Sequence, residues 1–383
     1  MTMRELREQG GLRALLERWV AEGAVPGAVA LVARDGQVET AAAGELTPAS
    51  LVRIASIGKP MTAALVLRLV EDGLLGLDDP VERWLPELAE LRVVRTPGAP
   101  VTDTVPLERP LKVRDVLESR SGHGFPSDFS LPAVGLLAER LKQGPPQPQT
   151  VAPPDEWVAA LAQVPLLHQP GAGWLYNTSS DLQGVLAARA AGRPFDELLA
   201  ERLFAPLGMA DTGFGAAPGQ ADRLSPLYQP RPDGTLAVID PPDGQWARPP
   251  AFPSGAGGLV STLGDVAAFL RMLRAGGRAE DGRRVLAEES VRLMTTDHLT
   301  ERQRADAEVF LEGQGWGYGG SVDLTAREPW NVPGRYGWVG GTGTAAHLVP
   351  STGLVTVLLT QREMTSPSPP PLMREFWRYA AGG

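Results

Sequence analysis

Residues 53–86 read RIASIGKPMTAALVLRLVEDGLLGLDDPVERWLP, and the interpretation of the whole chain depends on this stretch. Apolar residues at helical spacing follow Ser56, which predicts a helix that ends at Gly73. Because residues three apart share one face of a helix, the amine of Lys59 would lie over the hydroxyl of Ser56. A lysine among apolar neighbours loses its proton more readily and could then accept the proton of the serine. The spacing therefore points to Ser56 as a nucleophile and Lys59 as its base.

The same pattern has a second interpretation. A serine that caps a helix and a lysine that extends into solvent would give the same spacing, so the motif requires support from its surroundings. If Ser56 begins a helix, its backbone N–H lies at the positive end of the helix dipole and could stabilise an oxyanion.

Outward from this helix, β-type patterns occupy both ends of the chain and helical patterns occupy the middle. Residues 28–33 and 37–42 flank an Asp-Gly pair, which is a strong hairpin signal. Further β-type runs are predicted at residues 315–322, 335–339, 344–349 and 354–361. An amphipathic helix is predicted over 3–22, a single helix over 195–206, and a short helix after the Pro-rich segment 367–371.

These patterns predict an α/β (α+β) fold in which N- and C-terminal helices flank an antiparallel sheet. Hairpin signals are the connections visible between strands, which favours antiparallel over parallel pairing. We expect one catalytic domain over residues 1–383. Residues 1–55 and 255–383 would form an α/β subdomain, and residues 56–254 an inserted, mainly helical subdomain.

Composition excludes several classes of function. The chain of 383 residues contains no cysteine, which excludes disulfides, thiolate metal sites and a cysteine nucleophile. Its net charge of −9 argues against nucleic acid or an anionic membrane surface as a partner. The N-terminus has no signal-peptide pattern and no apolar run is long enough to span a membrane, so we expect a cytoplasmic protein.

Other common catalytic motifs are absent from the sequence. There is no G-x-S-x-G elbow, no H-E-x-x-H and no P-loop. The histidines are too far apart along the chain to form a local metal-ligand pattern; they are His123, His168, His298 and His347. We therefore expect no metal and no cofactor.

An ordered series of segments gives the Ser56–Lys59 pair its context. Residues 53–86, 111–124 (LKVRDVLESRSGHG), 170–214, 252–277 and 336–350 follow one another as in a known family. The chain resembles the serine β-lactamase-like superfamily, in particular its class C β-lactamase-like family VIII carboxylesterases and D-aminopeptidase-like proteins. The resemblance covers about residues 15–362. It implies the β-lactamase/transpeptidase-like fold and an acyl-enzyme formed on Ser56.

The second motif of this family is Y-x-N, whose tyrosine relays protons beside the lysine. The sequence here, WLYNT at 174–178, allows two alignments. One takes Tyr176 as the tyrosine, with Thr178 at the asparagine position. The other, without gaps, places Asn177 at the asparagine position and Leu175 at the tyrosine position. We favour Tyr176 as catalytic and Asn177 as substrate-binding, since a one-residue bulge costs less than loss of the phenol; the alternative is that Tyr176 only packs.

The third motif also departs from the β-lactamase pattern. At the place of Lys-Thr-Gly the chain has Trp338, Val339 and Gly340, followed by Gly341. The W-x-G form is similar to that of family VIII esterases. Trp338 would supply an apolar wall and one N–H donor, and the two glycines would let the strand approach the acyl group. By resemblance, Gly341 would give the second oxyanion N–H.

These motifs favour a carboxylesterase that acts on small, uncharged acyl esters. A β-lactam carries a carboxylate, and the site has lost the motif lysine that would bind it, although Arg53 or Arg335 could supply another cation. The alternatives are a β-lactamase, a D-aminopeptidase or acyltransferase of the same superfamily, and an inactive ligand-binding relative. The expected partner is a small-molecule ester or amide, with no nucleic acid and no membrane.

Overall fold

The structure is a computed structural model that describes residues 11–34, 36–142, 147–217 and 219–382. The strands are β1 (Gly27–Arg34), β2 (Gln37–Gly44), β3 (Val52–Arg53), β4 (Arg92–Val94), β5 (Thr104–Pro106), β6 (Leu227–Pro230), β7 (Leu236–Asp240), β8 (Val260–Ser261), β9 (Gly315–Trp316), β10 (Ser321–Val322), β11 (Tyr336–Gly340), β12 (Thr344–Val349) and β13 (Leu354–Thr360). The helices are α1 (Gly11–Ala21), α2 (Lys59–Glu71), α3 (Val113–Leu117), α4 (Pro132–Leu141), α5 (Pro154–Leu161), α6 (Thr178–Ala191), α7 (Phe195–Leu199), α8 (Ala205–Leu207), α9 (Leu263–Arg274), α10 (Glu288–Met294), α11 (Glu301–Asp306), α12 (Glu308–Leu311) and α13 (Pro371–Ala381).

The main sheet joins the two ends of the chain. Its seven strands lie in the order β2-β1-β13-β12-β11-β10-β9, and every neighbouring pair is antiparallel. Side chains alternate between the faces of a strand, so Ala28 and Ala30 of β1 pack with the terminal helices α1 and α13. Val29 and Leu31 face the larger core, which includes α9 and the inserted helices. The predicted antiparallel α/β fold with terminal helices is confirmed.

Two element predictions need correction. The single β run predicted over 315–322 is two short strands, β9 and β10, joined by a tight turn in which Gly317 N donates to Gly320 O at 2.8 Å. The helix predicted over 195–206 is divided, because a π-helical segment (Ala200–Phe204) separates α7 from α8. The spacing of apolar residues over so short a segment cannot show that one helical turn is widened by a residue. Residues 3–10 of the first predicted helix lie outside the described residues.

The middle of the chain contains more than helices. Two small hairpins, β4–β5 and β6–β7, lie within the region predicted to be mainly helical. Conversely, α10, α11 and α12 lie after residue 255, in the part assigned to the α/β subdomain. The division of the domain at residues 55 and 255 stays a prediction. None of the helices in the described ranges is long and apolar enough to cross a membrane.

Helix α2 is the central element of the inserted region. Apart from Arg68, Val70 and Glu71, all of its residues are buried, as expected of a helix that is apolar on every side. It packs against α6 and α10. The short pair β3–β8 joins the segments before and after the insertion, with Val52 opposite Ser261 and Arg53 opposite Val260. This pairing brings the start of α2 close to the glycine-rich segment 254–258.

Candidate active site

Ser56 lies in a short 3₁₀ turn (Ala55–Gly58) that leads directly into α2. The residue before it, Ala55, has a φ of +47°, a left-handed conformation that costs a non-glycine residue free energy. Two threonine hydroxyls hold the backbone just before this turn. Thr342 Oγ1, between β11 and β12, donates to the carbonyl of Arg53 at 2.5 Å, and Thr344 Oγ1 of β12 donates to that of Ile54 at 2.8 Å. The sheet therefore fixes the backbone from which the Ser56 hydroxyl projects.

The amine of Lys59 is buried beside this hydroxyl. Lys59 is 1% exposed, and its Nζ donates to Ser56 Oγ at 2.8 Å and to the carbonyl oxygen of Ala256 at 2.5 Å. The same nitrogen lies 4.7 Å from the ring centroid of Tyr176. The three-residue spacing thus places Lys59 over Ser56 and away from solvent, which differs from the geometry of a solvated surface lysine.

Tyr176 faces the same space, and its hydroxyl is bound by an indole. Trp338 Nε1 donates to Tyr176 Oη at 2.7 Å. The Tyr176 ring lies against Phe310, with centroids 4.7 Å apart, and against Trp338 at 5.8 Å. Reciprocal backbone hydrogen bonds with Phe125 hold the residue in position. The N–H donor that the sequence predicts for Trp338 is therefore present, and Tyr176 already accepts from it.

The two alignments of the second motif correspond to different positions in the structure. Tyr176 and Asn177 line the cavity that contains Ser56. Leu175 is fully buried in a separate cluster with Val94 and Leu167. Asn177 has a φ of +79° between Tyr176 and α6, so the backbone is irregular at the point where the alignments diverge. Thr178 is buried at the first position of α6.

Two of the third-motif residues border the cavity, together with Gly341. Trp338, Val339 and Gly341 line it. Gly340 has another environment: a Cβ there would lie 2.5 Å from the carbonyl oxygen of Ile54 and would also overlap Thr344 Oγ1. Close packing of β11 against the Ser56 turn accounts for this glycine. A role for Gly340 in substrate binding stays a prediction.

The cavity has a volume of about 470 Å³, within the range of small-molecule sites. Most of its lining is apolar, with large contributions from Phe125, Phe129, Leu141, Trp157, Phe252 and Phe310. Lys142 and Asp181 are the charged residues among the described residues that line it.

The two arginines considered as substitute cations are engaged elsewhere. Arg53 is 2% exposed and its Nε donates to Asp240 Oδ2 at 2.8 Å. Arg335 is 4% exposed and lies 3.5 Å from Asp323 Oδ2. Neither lines the cavity that contains Ser56. Each is buried with its own carboxylate, so neither is available to a substrate.

Sequence reasoning missed one buried acid of the site. Asp181, on α6, accepts from Ser254 Oγ at 2.6 Å and from Ala256 N at 3.1 Å. Burial raises the pKa of this carboxyl, while those two hydrogen bonds and the charge of Lys59 act in the opposite direction. The available signal was the one acidic residue of the helical segment 178–191, five positions after Tyr176.

Comparison with known proteins agrees with this fold. The sequence model of the Beta-lactamase family matches residues 12–374. Protein Rv1367c of Mycobacterium tuberculosis is 37% identical over 322 residues, which cover 82% of this chain and 77% of that protein. Esterase EstB of Burkholderia gladioli is 30% identical over 377 residues, with 91% of this chain and 89% of that protein covered.

Among solved structures, the fold is similar to that of EstCE1, described as a hydrolase with promiscuous acyltransferase activity. The two share 23% sequence identity and superpose with a TM-score of 0.79 over 99% of this chain and 98% of the other. Since the family model spans nearly the whole length and the relatives are aligned over most of theirs, the chain belongs to the beta-lactamase family of serine hydrolases.

Proposed function

We propose that the protein is a serine hydrolase that forms an acyl-enzyme on Ser56 and acts as a carboxylesterase on small, uncharged acyl groups. The observation that supports this most directly is the 2.8 Å contact between the buried amine of Lys59 and Ser56 Oγ, and Ser56 lines an apolar cavity. A base within hydrogen-bond reach of the nucleophile is the first geometric requirement for this chemistry.

In the acylation step, the unprotonated amine of Lys59 takes the Ser56 proton as Oγ bonds to the ester carbonyl carbon. The tetrahedral intermediate then collapses, and the bond to the alcohol oxygen breaks. Tyr176 lies next to Lys59 and could give a proton to that oxygen and recover one from the ammonium. The N–H of Trp338 would stabilise the negative charge that Tyr176 Oη carries in between. Water then attacks the acyl carbon by the same route, releasing the acid and free Ser56.

The side chains at the third-motif position support uncharged substrates, and the one lysine among the described residues that line the cavity, the exposed Lys142, lies outside that motif. Because Trp338 already donates its N–H to Tyr176, it offers no free donor to a substrate carboxylate, and Val339 has none in its side chain. Asp181, when ionised, would repel such a group. Losing a charge-assisted hydrogen bond is worth about 1.5–3 kcal/mol, or roughly one to two decades in kcat/KM. A neutral acyl group loses nothing of this kind.

Acyl transfer to an alcohol is a second candidate. The apolar cavity of about 470 Å³ leaves room beside an acyl-enzyme for an acceptor other than water. EstCE1, with the same fold, is described as having promiscuous acyltransferase activity. A hydrolase and a transferase differ in whether an added alcohol yields a new ester, which chromatography of the products would distinguish.

Hydrolysis of p-nitrophenyl esters of graded acyl length, measured beside a chromogenic cephalosporin, tests the proposal. We expect kcat/KM for the butyrate to exceed that for the cephalosporin clearly. An equal or higher value for the cephalosporin would contradict the proposed specificity. Trp338→Lys restores a cation at the motif position, and we expect it to raise the β-lactam value while it lowers the ester value.

A further inference from the structure

Asp181 connects helix α6 to the backbone segment that binds the lysine amine. Its carboxyl group accepts from Ser254 Oγ at 2.6 Å and from Ala256 N at 3.1 Å. The carbonyl of the same residue, Ala256, accepts from Lys59 Nζ at 2.5 Å. The peptide groups on either side of Ala256 are therefore held by Asp181 on one side and by Lys59 on the other.

Segment 254–256 is also clamped by closer packing against both helices. Thr62 Oγ1 of α2 donates to the carbonyl of Gly255 at 2.8 Å. A Cβ on Gly255 would lie 2.9 Å from Thr62 Cγ2 and would also overlap the carbonyl oxygen of Ser180 on α6. The segment thus lies tightly between α2 and α6, with no room for a side chain at its centre. A small shift of Ala256 would move the acceptor that orients the amine.

We propose that Asp181 is a positioning residue for Lys59: by fixing segment 254–256, it holds the carbonyl that directs the amine toward Ser56. This inference rests on the proposed function, since it assigns a task within the same proton transfer. Asp181 is 6% exposed and lines the cavity, and the charge of Lys59 acts on its carboxyl group.

Other ionisable groups lie on the elements packed around Lys59. Tyr176 precedes α6 and places its ring under the amine. Tyr318, in the β9–β10 turn, is next to Gly319, which packs on the Lys59 carbonyl. Burial raises the pKa of Tyr318 to about 12, and it raises the pKa of Tyr336 on β11 as well. Neither of these two exchanges its proton near neutral pH, so neither would account for a change in the pH profile of labelling.

The chain offers a matched control in Asp265, a buried acid at the start of α9. It accepts from Thr212 Oγ1 at 2.8 Å and from Asp211 N at 2.9 Å, the same pair of donor types as Asp181. Burial raises the pKa of this carboxyl too. It does not line the cavity that contains Ser56. A merely structural acid should behave like Asp265 when it is replaced.

The experiment follows the rate at which a fluorophosphonate probe labels Ser56 in the full chain across acidic to alkaline pH, in Asp181→Ala, Asp181→Asn, Ser254→Ala and Asp265→Asn. Misplacing a catalytic group by about 1 Å can cost roughly 100-fold, so we expect about that loss in Asp181→Ala and a smaller loss, about tenfold, in Ser254→Ala. Asp181→Asn keeps an acceptor but removes the charge, so half-maximal labelling should move to lower pH. Asp265→Asn should match the wild type in rate and in pH profile.

The outcomes separate the inference from the function on which it rests. If the wild type is labelled at Ser56 but Asp181→Ala and Ser254→Ala both keep the rate of Asp265→Asn, the positioning role is wrong and the proposed function stands. If the wild type is not labelled at any pH, both are overturned. Thermal unfolding identifies any variant that fails to fold, and Ser254→Ala, which removes one donor to Asp181 and leaves the carboxyl group in place, decides the question if Asp181→Ala is such a variant.

Discussion

Two buried cations, Arg53 and Lys59, lie on either side of Ser56 and differ in what they bind. Arg53 Nε donates to the carboxylate of Asp240 at 2.8 Å, and its guanidinium lies over Trp246 at 5.3 Å. Burial lowers the pKa of Arg53, and Asp240 opposes that shift. The hydrogen bonds of Lys59 go instead to a hydroxyl and a carbonyl oxygen, and the hydroxyl is that of Ser56.

This difference separates a structural cation from a reactive one. A guanidinium that is buried with a hydrogen-bonded carboxylate is fixed in its charged state and holds parts of the chain together. An amine whose hydrogen-bond partners are neutral oxygens gives up its charge at lower cost, and it can then take a proton from the hydroxyl it contacts. We therefore expect replacement of Arg53 to lower the stability of the protein, and replacement of Lys59 to lower its kcat.

The largest effect should come from removing the nucleophile. Ser56→Ala deletes the one oxygen proposed to become covalent, so we expect ester hydrolysis to fall by about 10⁴-fold or more with the fold intact. Mass spectrometry of the wild type after treatment with a fluorophosphonate should place the added group on Ser56. If another residue were labelled, Ser56 would not be the nucleophile, and the contact with Ser56 would no longer distinguish Lys59 from Arg53.

Lys59→Met tests the reactive cation. The substitution puts an apolar chain of similar length in a buried position, so folding should be retained while general-base help, typically about 10²–10⁴-fold, is lost. If Lys59 is the general base, kcat should fall in this variant while the melting temperature stays close to that of the wild type. Full turnover in this variant would show that Lys59 is an ordinary helix residue.

Arg53→Met tests the structural cation in the same way. It leaves Asp240 buried without its guanidinium, and losing one partner of a buried ion pair costs about 3–5 kcal/mol of stability. Chemical denaturation should show this loss, while the protein that remains folded should keep most of its kcat. If Arg53→Met lost kcat but not stability, the distinction between the two cations would be wrong.

Tyr176→Phe sharpens the account of the group that works with Lys59. Removing the hydroxyl removes the proposed proton relay and its bond to Trp338, and we expect a loss in kcat of about 10²-fold. Asn177→Ala, measured in parallel, should have a smaller effect. The reverse result, a negligible loss for Tyr176→Phe and a large one for Asn177→Ala, would favour the gap-free alignment and a site without a catalytic tyrosine.

Much of the fold could be predicted from the sequence because its signals are local. The hairpin at residues 27–44 follows from the two β-type runs around Asp-Gly, and α2 follows from its apolar residues up to Gly73, whose φ is +74°. The π-helical segment within 200–204 and the small hairpins β4–β5 and β6–β7 were not predicted. Their signals extend over few residues, and their pairing depends on neighbours that are distant in the chain.

The site could be predicted in part, for the same reason. Ser56 and Lys59 are three residues apart, so their contact follows from helix geometry alone. Asp240 lies 187 residues after Arg53, and Ala256 lies 197 after Lys59, so no local pattern reveals those partners. The sequence therefore could not show that Arg53 is held by Asp240 and unavailable to a substrate, nor that Asp181 reaches the lysine through segment 254–256.

The smallest expected effect concerns the residue that most separates this chain from Lys-Thr-Gly enzymes. Trp338→Phe keeps an aromatic ring beside Tyr176 but removes the N–H that donates to Tyr176 Oη at 2.7 Å. A net hydrogen bond is worth about 0.5–1.5 kcal/mol, so kcat/KM for a neutral ester should fall by about tenfold at most. The loss should disappear in the Tyr176→Phe background, where the acceptor is already gone, and this double-mutant cycle is the measurement that isolates the bond. Equal losses in the two backgrounds would mean that Trp338 acts through packing. The Trp338 N–H would then not support Tyr176 as a proton relay.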